Sequence, residues 1–131
     1  MALILLADDD EMIRDTVRAV LLRDRHVVGA VCNGAQAVAA FQVKRYDLVI
    51  LDCAMPEMTG IEALRLIRLL PNGGRTPVLM LTARRSSMDE EIASRAGATD
   101  YLRKPFSPTQ LQVRTQLLLA RAAWSKAYAE D

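Results

Sequence analysis

The chain has 131 residues, a length suited to one domain, and at that size roughly two-thirds of the unfolded surface can be buried without a disulfide or structural metal. With 51% apolar and 25% charged residues the composition is that of a globular protein and argues against disorder. The net charge of +1 makes no electrostatic case for direct nucleic-acid binding or an anionic membrane surface, and no apolar stretch approaches the roughly 20 residues of a membrane span. Cys32 and Cys53 match no zinc or redox spacing, so both read as reduced core thiols of a cytoplasmic protein. The N-terminus enters a short strand with no basic leader, which argues against a signal peptide.

Apolar runs alternate with amphipathic stretches five times, the pattern of a parallel sheet with helices on both faces. The first run, near 2–7, is followed by a helix over 11–23 with Ile13, Val17, Val20 and Leu21 on one face. A second run near 27–31 leads to Asn33, an N-cap for a helix over 34–43 with Ala35, Val38 and Ala39 inward. The third, near 47–51, precedes a helix over 60–70 capped by Thr59, with Ile61, Leu64 and Ile67 inward and Arg65 and Arg68 outward. Pro71-Asn72-Gly73-Gly74 is the clearest turn. A fourth run near 77–81 is followed by a helix over 88–96, with Ser87 and Glu90 at capping-box spacing and Gly97 as its stop. The fifth run, near 99–102, precedes Ser107-Pro108-Thr109-Gln110, a capping box with proline at the first helical position of a helix reaching about 126. The runs are short and rich in Val, Ile and Leu, as strands buried on both faces should be. The second and fifth are the least apolar and belong at the sheet edges.

Chemistry collects at the ends of these runs. The first ends in Asp8-Asp9-Asp10, the third in Asp52, the fourth in Thr82 and the fifth in Lys104-Pro105. Open parallel sheets bind ligands beyond the carboxyl ends of their strands, where the strand order switches direction. Two carboxylates about 4 Å apart repel by roughly 4 kcal/mol at an effective dielectric near 20. Lys104 offsets one charge; a divalent cation such as Mg²⁺ offsets two and takes carboxylate, carbonyl, water and phosphate oxygens. Acids, hydroxyl and ammonium together describe a site for a divalent metal and a phosphoryl group.

The chain resembles a response-regulator receiver domain, the phosphoacceptor half of two-component signalling, over residues 2–122. The resemblance rests on Asp8-Asp9, on Asp52-Cys53-Ala54-Met55-Pro56 with Gly60, on Thr82-Ala83 and on Lys104-Pro105-Phe106. It implies an α/β, doubly wound, flavodoxin-like fold with five parallel strands in the order 2-1-3-4-5. It also implies one receiver domain over 1–131, with 123–131 a helical extension or the start of a linker. Asp52 would take a phosphoryl group from a histidine kinase or phosphotransfer protein. Asp9 and Asp52 would ligate Mg²⁺ directly, Asp8 through water, and the Ala54 carbonyl would be a further ligand. Lys104, the Thr82 hydroxyl and the Ala83 N–H would hold the phosphoryl oxygens. The Lys104-Pro105 bond would be cis. Thr82 would move toward the phosphoryl group and Tyr101 would rotate inward, switching the face of helix four, strand five and helix five. Such a chain is a substrate with built-in catalysis, not a turnover enzyme.

Several residues have plainer explanations. Asp10 reads as an N-cap, His26 as a structural or surface side chain without a ligand partner, and Trp124 as a packing or tail residue. A hydrolase of the haloacid-dehalogenase type needs a second acid two residues after its nucleophile, where this chain has Ala54. A degenerate receiver would lack an acid, the threonine or the lysine, and none is missing. Ala54 and Arg84 flank the path of the attacking water in the family, and a small apolar residue 54 implies slow self-dephosphorylation. Residues 108–129 carry Arg114, Arg121 and Lys126 but no acid, so the ion pairs of relatives that dimerise through helices four and five are incomplete. Among Leu117, Leu118 and Leu119 one should face outward, toward a second copy, another partner or an output domain.

Overall fold

The computed structural model describes residues 1–83 and 87–128. Five strands and five helices alternate: β1 (Leu3–Ala7), α1 (Glu11–Arg23), β2 (Val27–Val31), α2 (Gly34–Val43), β3 (Leu48–Asp52), α3 (Gly60–Leu69), β4 (Val78–Thr82), α4 (Ser87–Ala96), β5 (Asp100–Arg103) and α5 (Pro108–Tyr128). All strand pairs are parallel and the order is β2-β1-β3-β4-β5. The doubly wound fold expected above is therefore the one adopted. β3 and β4 are buried at every position, whereas the edge strand β2 is only partly buried.

Alternation along the strands divides the core in two. Ile4, Leu6, Leu48, Ile50, Leu79, Leu81 and Leu102 face α1 and α5. Leu5, Ala7, Val49, Leu51, Val78, Met80 and Tyr101 face α2, α3 and α4.

Helix ends follow the local chemistry. Asp10 Oδ1 accepts from the N–H groups of Met12 and Ile13, Asn33 Oδ1 from Gln36, and Thr59 Oγ1 from Glu62. Ser107 and Gln110 form the reciprocal capping box that opens α5. Gly97 ends α4 with φ +107, in the region that favours glycine. At Gly73 a Cβ would lie 1.6 Å from the Ile67 carbonyl oxygen, so the turn after α3 admits no side chain there. Arg84, with the role expected of it, lies outside the described residues, as does the side chain of Ser87 on which the expected cap of α4 rests.

Three expectations are corrected. In α2 the buried residues are Gly34, Ala37 and Phe41, while Ala35 and Ala39 are exposed. A helix in which six of ten residues are Ala or Val carries little directional contrast, and the bulk of Phe41 decides its rotation. Arg68 does not face outward. Its half-buried guanidinium donates to the carbonyls of Gly97, Gly73 and Thr76 at 2.6–3.0 Å. Cys32 is exposed at the end of the edge strand and is not a core thiol, whereas Cys53 is half-buried and packs against the core on the α2, α3 and α4 side.

Candidate functional site

Strand register assembles the site. Ala7 pairs with Leu51, so Asp8 follows β1 level with Asp52 on β3. Asp52 pairs with Leu81, one residue before Thr82, and Thr82 pairs with Arg103, one residue before Lys104. The Lys104 N–H donates to the Thr82 carbonyl at 2.7 Å, extending the ladder by one step. By the alternation that divides the core, Asp8, Asp52 and Lys104 continue the α1/α5 side of the sheet. Thr82 continues the opposite side, which it shares with Tyr101.

The charges meet closely. Lys104 Nζ lies 3.2 Å from Asp8 Oδ2 and 3.1 Å from Asp52 Oδ1. The Asp8 side chain is fully buried and the Asp52 side chain nearly so, at 8% exposure. One carboxylate oxygen from each of Asp8, Asp9 and Asp52 lies within 4.8 Å of the other two. Asp9 is exposed, at the open side of the cluster. Asp8 is held on every side: its Oδ1 accepts from Asp10 N–H at 2.9 Å, its Oδ2 faces Lys104, and its carbonyl accepts from Arg14 Nη1 at 2.9 Å.

Burial, and then the negative charge of Asp8, push the Asp52 carboxyl from 3.8 up to about 6. The Lys104 charge and hydrogen bond and the Ala54 N–H pull it back only in part. Burial alone lowers the Lys104 ammonium, but Asp52 and Asp8 outweigh it and hold the ammonium above its ordinary value. One ammonium does not neutralise three carboxylates. The Thr82 hydroxyl is fully buried and has no hydrogen-bond partner among the described residues, a costly condition for a polar group. A surplus of buried negative charge beside a hydroxyl without a partner fits a divalent cation together with an oxyanion.

The backbone around Asp52 is held by glycine. The Gly60 N–H donates to the Cys53 carbonyl at 3.0 Å, and a Cβ on Gly60 would lie 2.0 Å from the Asp52 carbonyl oxygen. Ala54 and Ala83 are exposed beside the cluster, and the Lys104-Pro105 bond is cis. Each expected acid, the threonine and the lysine thus lie at one sheet edge. Tyr101 stands apart, half-buried in an open groove of about 360 Å³ with Glu90, Arg103, Pro105, Gln110 and Arg114. Arg103 pairs with Glu90, and Arg114 Nη1 lies 2.9 Å from both Asp100 carboxylate oxygens. His26 is structural: its Nδ1 accepts from the Ala2 N–H.

Arg14 is the site residue that patterning overlooks. The signal was a cation near a helix N-terminus, where the helix dipole disfavours it. The Asp8 carbonyl is its reason for being there.

Comparison with known proteins agrees with this geometry. The description "Response regulator receiver domain" matches residues 4–116. The chain is 40% identical over 118 residues to response regulator protein PmrA of Pseudomonas aeruginosa, covering 90% of this chain and 52% of that protein. It therefore spans about half the length of the curated relatives it matches. Among solved structures, it resembles the receiver domain of a Pseudomonas aeruginosa sensor histidine kinase crystallised with a magnesium ion coordinated in the active-site cleft. That likeness has a TM-score of 0.85 and 36% identity, and covers 91% of this chain and 98% of that one. The chemotaxis response regulator CheY4 of Vibrio cholerae gives 0.86 and 36%, covering 90% and 98%. A sheet edge of this charge and register, matched across nearly the whole chain, establishes that the protein belongs to the response regulator receiver domain family, whose function is phosphoacceptance in two-component signalling.

Proposed function

We propose that Asp52 is the phosphoacceptor, taking a phosphoryl group from the phosphohistidine of a histidine kinase or phosphotransfer protein. A carboxylate oxygen of Asp52 forms the new P–O bond as the P–N bond to histidine breaks. The convergence of Asp52, Asp8 and Lys104 beside the Thr82 hydroxyl, which has no partner among the described residues, carries this reading. Asp8, Asp9, Asp52 and the Ala54 carbonyl would hold Mg²⁺, which when bound neutralises the charge that gathers on the transferring group. Lys104 turns from Asp52 to a phosphoryl oxygen, Thr82 Oγ1 donates to a second, and the Ala83 N–H to a third. Because these donors share one sheet edge, only local side-chain movement is needed for the transfer step. The protein acts in the cytoplasm as a self-modifying signal carrier, with no substrate turnover of its own.

The hydroxyl of Thr82 gains its missing partner when the phosphoryl group arrives. Its movement frees space on the face it shares with Tyr101, which turns inward and reshapes the α4–β5–α5 surface for an output partner. Tyr101 ring resonances that stay put on phosphorylation would sink this switch.

Intact mass after incubation with acetyl phosphate and Mg²⁺ tests the whole reading. The expected result is one phosphate adduct that needs Mg²⁺ and is absent from Asp52→Asn. No adduct in a folded protein, or an adduct that survives Asp52→Asn, overturns it. Followed in time, the adduct of Ala54→Asn should decay faster, because only a polar side chain there orients the attacking water.

A further inference from the structure

We infer that Arg14 is a positioning residue for the metal: by holding the Asp8 carbonyl it fixes the direction of the Asp9 carboxylate. The inference rests on the reading of Asp9 as a ligand to Mg²⁺.

The chain from Asp8 to Asp10 shows what there is to hold. Asp8 is tied by its N–H to the Val31 carbonyl at 3.3 Å, and its Oδ1 accepts from the Asp10 N–H at 2.9 Å. Asp10 is tied to α1, where its Oδ1 caps Met12 and Ile13. Asp9 stands between these two fixed residues. Its exposed carboxylate makes no hydrogen bond or ion pair among the described residues. The Asp9 N–H bonds nothing among them either. The peptide unit joining Asp8 to Asp9 therefore has one tether, the 2.9 Å bond from Arg14 Nη1 to the Asp8 carbonyl. A planar peptide unit turns about the single bonds on either side of it, and such a turn re-aims the side chain of Asp9.

Charge alone does not explain Arg14. Asp9, Asp10, Glu11 and Asp15 are its neighbours in the chain, and its guanidinium pairs with none of them. Its one side-chain partner among the described residues is an uncharged carbonyl. It also sits in the first turns of α1, where the helix dipole disfavours a cation. A half-buried arginine that passes over these acids to bond one carbonyl is there for the geometry of that carbonyl.

Position and charge make opposite predictions. A guanidinium beside the cluster repels a divalent cation, so on charge alone its removal tightens Mg²⁺ binding. If Arg14 orients a ligand, its removal loosens binding, by roughly tenfold or more. The sign of one measurement separates the two.

Amide chemical shifts of the full chain, titrated with MgCl₂, give the dissociation constant and report in the same spectrum that the chain is folded. Arg14→Met is expected to bind Mg²⁺ about tenfold more weakly than wild type. Arg14→Lys, which keeps a donor for the carbonyl, should recover much of the loss. Arg14→Gln, shorter and uncharged, carries the same prediction as Arg14→Met where that variant does not fold. Phosphate uptake from acetyl phosphate should split in the same way: slow in Arg14→Met at low Mg²⁺, and approaching the wild-type rate as Mg²⁺ saturates. An Arg14→Met chain that binds Mg²⁺ as tightly as wild type or more tightly overturns the inference, whatever its melting temperature. A rate defect that persists at saturating Mg²⁺ also overturns it. Failure of the metal reading looks different: wild type itself would show no shifts at Asp8, Asp9 and Asp52 on adding Mg²⁺, and both would fall together.

Discussion

The two ends of the sheet are built on opposite rules. At the amino ends of the strands several side chains bond strand or loop backbone directly, although one buried oxygen there, Asp24 Oδ2, has no partner among the described residues. Asp47 Oδ2 accepts from the Leu3 N–H at 2.8 Å, Thr99 Oγ1 from Val78 at 2.9 Å and His26 Nδ1 from Ala2 at 3.2 Å. Arg68 ties the loops that feed β4 and β5 by their carbonyls. At the carboxyl ends two of three clustered acids share one ammonium, the Asp52 carboxyl is pushed up to about 6, and Thr82 has a buried hydroxyl without a partner among the described residues. The same strands supply both ends, so the difference lies in side-chain chemistry, not in backbone geometry. The amino end closes the fold; the carboxyl end holds polar groups at a cost that a ligand relieves.

Removing charge at the open end should have the largest effect. A folded-state carboxyl at about 6 against an ordinary 3.8 binds its proton more readily in the folded chain. Stability is therefore lost as pH rises from about 4 to about 6, the reverse of the usual carboxylate behaviour. The shift corresponds to on the order of 3 kcal/mol above that window. Without Mg²⁺, Asp52→Asn should be more stable than wild type by up to that amount at pH 7 to 8, and the gap should close toward pH 4. Added Mg²⁺ should stabilise wild type far more than the variant. Chemical denaturation across pH reads both, and equal pH profiles for the two proteins would contradict the strain assigned to this end.

Breaking the closed end comes next. Arg68→Met leaves three carbonyls without their charged donor and should cost about 2 kcal/mol, while phosphate uptake at Asp52 persists. A variant as stable as wild type would show that the guanidinium is not a tie.

The smallest effect gives the sharpest contrast. Thr82→Val removes a hydroxyl that has no partner among the described residues and should raise stability in the absence of ligand by about 1 kcal/mol. Thr99→Val removes one that caps a buried strand N–H and should lower it by about the same amount. Two threonine-to-valine changes of the same sign would dissolve the distinction between the ends.

Much of this was legible in the chain. The uniformly apolar runs are the strands, the acids and Lys104 end them, and the caps at Asp10, Asn33, Thr59 and Ser107 act within a few residues of themselves. The misreadings share a cause. Rotation of α2 was set by Phe41 filling space against the sheet, in a helix whose small residues carry no directional signal. Arg68 was drawn inward by carbonyls from residues as distant as Gly97. Cys32 looked apolar enough for a core that does not extend to the edge of β2.

Local chemistry by itself determined the elements, their caps and which strand ends carry charge, because periodicity and capping are short-range. Only the tertiary structure decided that Lys104 bonds both Asp8 and Asp52, that burial pushes the Asp52 carboxyl up to about 6, and that Thr82 Oγ1 has no partner among the described residues. Those properties depend on register between distant strands and on the burial that follows from it. Pairwise distance and desolvation exist only once the chain has folded.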